Sequence, residues 1–129
     1  MHQSSLGGLI IDCRTYDLDG EAQFWSKALG YEIRPSDDPD DANYVVLDTR
    51  EGEPYIELQT VEHPSRVHLD IKTDDVEAEV QRLERLGATR VKKVRHWWVL
   101  EAPSGHRFCV IPLHPGQNVG HLNRWDGDA

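Results

Sequence analysis

The sequence lacks the long apolar runs that cross membranes. None of its stretches approaches the roughly 20 apolar residues that a helix needs to span a bilayer. The N-terminus also lacks a basic segment followed by an apolar one, which is the pattern of a secretory signal. We therefore expect a cytoplasmic protein with no membrane partner.

Basic residues are scarce. The chain has 14 Lys and Arg against 23 Asp and Glu, for a formal net charge of −9. Binding to a phosphate backbone requires clustered basic side chains, and only Lys92, Lys93 and Arg95 come close together. Three such residues at the start of a strand are typical of solvated surface, so we expect no nucleic-acid partner.

The sequence motifs of several enzyme classes are absent. The two cysteines, Cys13 and Cys109, lie in apolar runs and form no CxxC pair, so we predict buried thiols and not a disulfide. There is no phosphate-binding glycine loop and no Gly-x-Ser-x-Gly turn. These absences argue against P-loop nucleotide chemistry and against serine hydrolysis of that type.

The composition is that of a folded domain. The 129 residues, 38% hydrophobic and 29% charged, fit one compact globular unit with a proper core. We predict a loose leader at 1–7, the domain at 8–112, an acidic surface loop at 35–43 and a polar tail at 113–129. In that tail, Trp125 is the residue expected to anchor the chain to the surface.

An alternating stretch at Ser65 to Ile71 organises the second half of the chain. Val67, Leu69 and Ile71 alternate with polar residues, which is the period-two pattern of a strand. The polar side carries His68 between two charged residues, at a position where a solvent-exposed strand face more often has Thr, Lys or Glu. This side is either ordinary surface or the lining of a site.

The two halves of the sequence resemble each other. Asp17 and Asp74 each precede a predicted helix, and the pairs Leu29-Gly30 and Leu86-Gly87 each follow one, at an offset of 57 (74 − 17 and 87 − 30). A Leu-Gly helix end can recur by chance, but agreement of starts, ends and preceding strands favours duplication. We predict two βαβββ modules, at about 8–60 and 66–112.

The strand patterns divide the residues between two faces of the sheet. One face packs on the helices and takes the apolar sets Leu9, Ile11, Cys13, Ile56, Leu58, Val67, Leu69, Ile71, Phe108 and Val110. The other face becomes a cup if the sheet curls. It carries Asp12, Tyr55, Glu57, Gln59, Arg66, His68, Asp70, Arg107 and Cys109. Trp97 and Trp98 must point to opposite faces. One of them is expected to lie in the core, and the other either lines the cup with a flat apolar surface or only contributes to stability.

Five short segments, taken together, resemble the vicinal oxygen chelate (VOC) superfamily, and most nearly its small actinobacterial-type glyoxalase-like domains, which are akin to bleomycin-resistance proteins. The segments are Ile11-Asp12-Cys13, Phe24-Trp25 with Leu29-Gly30, Glu57-Leu58-Gln59, Arg66 to Asp70, and Pro103-Ser104-Gly105 with Phe108-Cys109-Val110. The resemblance implies an α+β fold, in which two βαβββ modules form a half-open barrel sheet with helices on its outer face. It also implies a homodimer.

In the metal-using members of this superfamily, four side chains, two from each module, bind one divalent ion. The resemblance places Glu57 and His68 at two of these positions and Cys109 at a third, where the enzymes usually have Glu. The fourth position falls on Gly8 or Ile10, which offer no side-chain ligand. One hypothesis is a site in which Glu57, His68 and Cys109 bind Zn, Ni, Mn or Fe. The other hypothesis is a metal-free pocket in which His68 forms a hydrogen bond with Glu57 or Asp70.

Two functions follow from these readings. The first is a protein without a cofactor that binds a small organic molecule in the cup. The second is a metal-dependent lyase, isomerase or dioxygenase that uses Glu57 and His68. No nucleophile with a nearby base is evident, so catalytic residues are not assigned, although acid–base work by Glu57 and His68 stays open. The residues predicted to line the pocket are Asp12, Tyr55, Glu57, Gln59, His68, Asp70, Trp97 and Arg107.

Overall fold

A computed structural model describes residues 1–36, 42–113 and 121–126. Within these ranges the chain forms two compact units. The first unit is Gly8–Val67, and the second unit combines Met1–Gly7 with the described residues from His68 onward. Residues 37–41 of the predicted acidic loop and residues 114–120 and 127–129 of the predicted tail lie outside the described part.

The first unit contains a sheet covered by one helix. Its strands are β1 (His2–Cys13, from Gly8 onward), β2 (Glu32–Ile33), β3 (Tyr44–Asp48) and β4 (Tyr55–Thr60), in the order β2-β3-β4-β1. The β1–β4 pair is parallel and the other two pairs are antiparallel. The buried core consists of Cys13, Ala22, Leu47 and Leu58.

The helix of the first unit, α1 (Leu18–Leu29), begins and ends where the sequence predicts. The Asp17 carboxylate accepts a hydrogen bond from the Gly20 amide at 3.0 Å, as an N-cap does. Gly30 ends the helix with φ of 79°, a left-handed conformation that glycine adopts without steric cost. Ala22, Trp25 and Leu18 of this segment belong to the apolar cluster of the unit.

The second unit repeats this plan. Its strands β5 (Arg66–Thr73), β6 (Thr89–Val94), β7 (Trp97–Glu101) and β8 (Arg107–Pro112) have the order β5-β8-β7-β6, and its helix is α2 (Val76–Arg85). The β5–β8 pair is parallel. Val80, Leu83, Leu100 and Val110 are its buried core, with Ile71, Trp98 and Phe108 packed against them. The prediction of an α+β fold with two βαβββ modules is confirmed.

The N-cap of α2 is one residue later than predicted. The Asp75 carboxylate, not that of Asp74, accepts a hydrogen bond from the Ala78 amide at 3.1 Å. Asp74 instead accepts a hydrogen bond from the backbone amide of Gln3 at 2.8 Å. Two adjacent aspartates compete for the cap, and the bond to a distant strand, which sequence spacing does not reveal, takes Asp74 away.

The segment predicted as a loose leader is part of a strand. β1 begins at His2, and residues 2–4 pair with β9 (Asn123–Trp125). The indole of Trp125 donates a hydrogen bond to Ser4 Oγ at 2.8 Å, so the predicted anchoring by Trp125 is confirmed. The prediction of a loose leader was wrong because hydrogen bonds hold this part of the strand, and the pattern of apolar residues in the sequence does not reveal them.

The predicted apolar faces are largely as expected, with exceptions in β5 and α2. Val67 and Leu69 are 56% and 44% exposed, and only Ile71 of their set joins the apolar cluster beneath α2. Leu86, predicted to continue the apolar stripe of α2, is 66% exposed. Neither helix of the described ranges is both long and apolar enough to cross a bilayer.

Candidate functional site

One face of the second unit gathers polar side chains opposite its helix. His68, Asp70 and Lys72 alternate along β5, so they share a face. Cys109 is the register partner of Asp70 on the neighbouring strand β8, which places its side chain on that face too. We call the set His68, Asp70, Lys72 and Cys109 the polar face.

The side chains of the polar face are close enough to interact. Single ligand atoms of His68, Asp70 and Cys109 all lie within 4.8 Å of one another. The His68 Nε2 and Asp70 Oδ1 atoms are 3.5 Å apart. Asp70 is 7% exposed and the other two are half-buried. An imidazole, a carboxylate and a thiol therefore lie close together at a partly buried position on the sheet.

Lys72 extends the polar face by one more residue. It is 7% exposed, and burial lowers the pKa of its ammonium group. The absence of a side chain at Gly7 leaves space for the Lys72 side chain, because a Cβ atom at position 7 would lie 3.2 Å from Lys72 Cβ. Lys72 is absent from the residues predicted above to line the pocket, although the alternation of Arg66, His68 and Asp70 along the strand continues to it.

Two further predicted residues flank the polar face. Trp98 packs into the apolar cluster on the helix side, so its neighbour Trp97 points to the other side of the sheet, where Cys109 lies. Arg107 precedes Cys109 by two residues on β8, and its Nε atom is 3.7 Å from Glu101 Oε1. Trp97 thus offers a flat apolar wall, and Arg107 is held by an acidic partner.

In the first unit, neither of the two candidates for the fourth ligand position, Gly8 and Ile10, carries a metal-binding side chain. Ile10 is the register partner of Glu57 and is 3% exposed. Gly8 is the partner of Tyr55, and the Tyr55 ring occupies the space that a side chain at Gly8 would need. These residues do not fit a site with two ligands from each module, because the first unit offers Glu57 alone at these positions.

The other predicted residues of the first unit lie along β1 and β4. Asp12 is 2% exposed, pairs in register with Gln59, and its Oδ2 atom is 3.9 Å from Arg66 Nε. Asp12 and Arg66 line a cavity of about 270 Å³ together with Trp25. Glu57 lines a different cavity of about 670 Å³, whose wall includes Ser36 and Ala42 beside the undescribed residues 37–41.

A family model describes residues 8–111 as a glyoxalase-like domain. A search among curated proteins finds no match.

Solved structures of the same fold are similar over most of the chain. A hypothetical protein from Bacillus halodurans C-125 has a TM-score of 0.64 at 14% identity, covering 88% of this chain and 97% of its own. Methylmalonyl-CoA epimerase from Mycobacterium tuberculosis has a TM-score of 0.58 at 15% identity, covering 85% and 88%. The Mn(II)-bound glyoxalase from Novosphingobium aromaticivorans has a TM-score of 0.62 at 16% identity; 93% of this chain is covered, which spans 41% of that protein. At these identities the likeness shows the fold alone.

Proposed function

The chain belongs to the glyoxalase-like domain family of the VOC superfamily, and from this premise we propose that it binds a small organic molecule on the polar face of its second unit. The family fixes the fold and leaves the activity open, since function depends on the side chains of the site. The polar face gathers four such side chains on one side of the sheet of the second unit.

Charged groups are buried on the side of the sheet that faces away from the helix, and this burial supports the proposal. Asp70 and Lys72 are each 7% exposed, and His68 lies between Asp70 and solvent-exposed Arg66 along β5. Burying charged groups costs free energy. A sheet face needs no such groups for packing, so their presence is typical of a binding surface.

The chemistry of the polar face favours a ligand with an acidic or carbonyl group attached to an apolar part. The Lys72 amine can donate hydrogen bonds to a carboxylate or a carbonyl oxygen. Trp97 provides a flat surface for an aryl or acyl group. A methylmalonyl-CoA epimerase of the same fold is known in complex with methylmalonyl-CoA, a ligand that joins a carboxylate to an acyl group.

A screen with matched pairs of compounds tests this proposal. Thermal stability and calorimetric affinity are measured with small aryl and acyl carboxylates, each compared with its own methyl ester. We expect a carboxylate to bind about tenfold or more tightly than its ester, as a charged hydrogen bond predicts. Lys72→Met should remove this preference, and Trp97→Ala should weaken the acid and the ester alike.

Lys93→Met serves as the matched control. It removes a lysine of the same unit whose register partner is Trp98, on the helix side of the sheet, so the preference for acids should stay. The proposal fails if no compound binds the folded wild type, or if Lys72→Met and Lys93→Met behave alike.

A second function, a metal-dependent enzyme, is favoured by the proximity of His68, Asp70 and Cys109. With a bound divalent ion, these residues would bring Lewis acidity to the polar face. Lys72 would then hold or move a proton of a bound molecule, because burial lowers the pKa of its ammonium group. Activity of wild type toward an oxo-acid or thioester that is lost in His68→Ala would support this function.

The homodimer and the cytoplasmic location remain predictions from the resemblance and from the sequence. Neither is needed for the proposal, because the residues of the polar face all come from one unit of one chain.

A further inference from the structure

We propose that the ligand of the polar face carries a second acidic group, which Lys92 binds at the far edge of the sheet of the second unit. The ligand is then an elongated molecule with an apolar middle and an acid at each end, as in a long α,ω-dicarboxylate. This ligand class rests on the proposed function, since the first acidic group lies at Lys72. The far end of the ligand and the residue that binds it are new.

Lys92 lies on the same side of the sheet as the polar face. Asp70 is the register partner of Cys109, and Cys109 is also the partner of Val99 on β7. Val99 in turn is the partner of Lys92 on β6. Register partners on neighbouring strands point to the same side of a sheet, so this row crosses all four strands of the unit. Lys92 ends the row on β6, the edge strand.

A β-bulge in β6 brings Lys92 to this side. The register shifts between Arg90 and Lys92, so Val91 is an extra residue in the strand. The Arg90 guanidinium stacks on the Trp98 ring on the helix side of the sheet, and strict alternation from Arg90 would put Lys92 on that side too. Instead, Lys93 is the register partner of Trp98. Bulges commonly redirect a side chain in this way.

Between Lys72 and the edge strand, this side of the sheet is apolar. We call the half-buried side chains there the apolar strip, which consists of Val94, Trp97, Val99 and Ile111. Ile111 is the register partner of Lys72, and Val94 is the partner of Trp97. An apolar strip with an amine at each end suits a molecule with an apolar middle and two acidic ends.

The charges on this side of the sheet favour Lys92 as the partner of the second acid. Lys92 is exposed, and it forms no ion pair with a carboxylate of the described residues. Arg107 lies on the same side, but its Nε atom is 3.7 Å from Glu101 Oε1, so the two charges largely offset each other. The ammonium group of Lys92 therefore attracts an anion that lies along the apolar strip.

The separation of the two lysines sets the length of the ligand. In the order β5-β8-β7-β6, three strand steps separate their strands, which amounts to about 14 Å at about 4.8 Å a step. Side chains stand roughly perpendicular to a sheet, so the two ammonium groups are about as far apart as the strands. Succinate is too short to reach both groups, whereas sebacate and dodecanedioate are long enough.

Calorimetric titration with a series of α,ω-dicarboxylates tests the second acidic group. Each diacid from succinate to dodecanedioate is compared with its own monomethyl ester, so that chain length and apolar area are matched. We expect sebacate to bind wild type about threefold to fivefold more tightly than its half-ester, which is the size of an exposed charge pair. Succinate should gain almost nothing over its half-ester.

The two adjacent lysines of β6 provide a matched pair of variants. Lys92→Met should weaken the binding of sebacate about threefold to fivefold and leave that of its half-ester nearly unchanged. Lys93→Met removes the same charge from the next residue, on the helix side of the sheet, and should change neither affinity. Circular dichroism confirms that each variant is folded.

The inference is overturned if sebacate and its half-ester bind wild type equally, or if Lys92→Met and Lys93→Met have the same effect on sebacate. In either case the proposed function still stands if the monocarboxylates of the screen bind and lose their preference over esters in Lys72→Met. If Lys92→Met weakens the binding of sebacate and Lys72→Met does not, the second acidic group is supported and the proposed function fails. If no carboxylate of either series binds, both fail.

Discussion

At position 8 the chain needs a residue without a side chain. Gly8 is the register partner of Tyr55, and a Cβ added there would overlap the Tyr55 ring. This glycine therefore allows the strand to pack closely against a ring, a close approach of the kind that glycine in a strand permits. It also explains why the first module has no metal ligand at that position.

We predict that Gly8→Ala lowers the free energy of unfolding by about 1–3 kcal/mol, the usual cost of overpacking. Gly7→Ala should cost less, because a Cβ at Gly7 would lie 3.2 Å from Lys72 Cβ and 3.3 Å from the Asp70 carbonyl oxygen, so these neighbours need to shift by only a few tenths of an ångström. Urea denaturation measures both.

The double variant Gly8→Ala/Tyr55→Ala provides the control. Once the ring is gone, the alanine at position 8 should add almost no further cost to that of Tyr55→Ala, since the two positions are coupled through one contact. Additive costs would show that the ring does not set the requirement for glycine.

Single residues of the site were predictable where they lie on a regular strand. The sequence predicted that His68, Asp70 and Cys109 share one face, because strand alternation is strict, and the structure brings them within 4.8 Å. It did not predict how close the ligand atoms of these three residues lie. That depends on the register of β5 with β8, which residue spacing does not encode.

Among the elements, α2 is tied to the N-terminal strand by a buried carboxylate. Glu79 is fully buried; it accepts hydrogen bonds from Ser4 Oγ at 2.8 Å and from Arg82 through two nitrogens, and it lies 2.8 Å from His2 Nε2. The Arg82 guanidinium also stacks 3.8 Å from the centre of the Trp125 ring. This cluster explains why residues 2–7 are ordered in β1.

Glu79 makes stability depend on pH. Burial raises the pKa of its carboxyl, but the hydrogen bonds from Arg82, His2 and Ser4 outweigh that effect and bring it below the ordinary 4.5. A folded-state pKa below the unfolded one means that the carboxylate stabilises the fold above about pH 4.5. This contribution is lost as the pH falls through the folded pKa.

We predict that Glu79→Gln lowers the free energy of unfolding at pH 7 by about 1–3 kcal/mol. The difference from wild type should shrink as the pH falls below 4.5, because the wild-type carboxyl then becomes neutral too. Urea denaturation at a series of pH values measures the difference.

Glu77→Gln is the comparison variant on the same helix. Glu77 pairs with Arg90 at the surface, where ion pairs contribute about 0–1 kcal/mol. A loss in Glu79→Gln that equals the loss in Glu77→Gln, or that does not change with pH, would contradict the role given to the buried cluster.

Local signals predicted the elements well, and long-range contacts account for the misses. The caps of α1 and the strand patterns of both modules were readable because they depend on neighbours in the sequence. The start of β1 and the cap at Asp75 were not, since they depend on bonds between residues 70 or more positions apart, such as Gln3 with Asp74.

At the scale of the whole molecule, two βαβββ units carry unequal chemistry. The first unit has aliphatic Ile10 beside Glu57, and the second has an imidazole, a carboxylate, an amine and a thiol on one face. The repeated plan of the two units was predictable from the sequence because the helix starts and ends recur at a constant offset. The inequality lies in the side chains, since Ile10 and Gly8 of the first unit offer no ligand atom.

Amide chemical-shift mapping tests most directly whether the polar face of the second unit binds the organic ligand. Spectra of ¹⁵N-labelled protein are compared with and without the tightest-binding carboxylate of the screen. We predict the largest shift changes at residues 68–72 and 107–111, with β2 and β3 unaffected. Changes concentrated in residues 44–46 and 33–36, around the cavity of the first unit, would show that the ligand does not bind at the polar face.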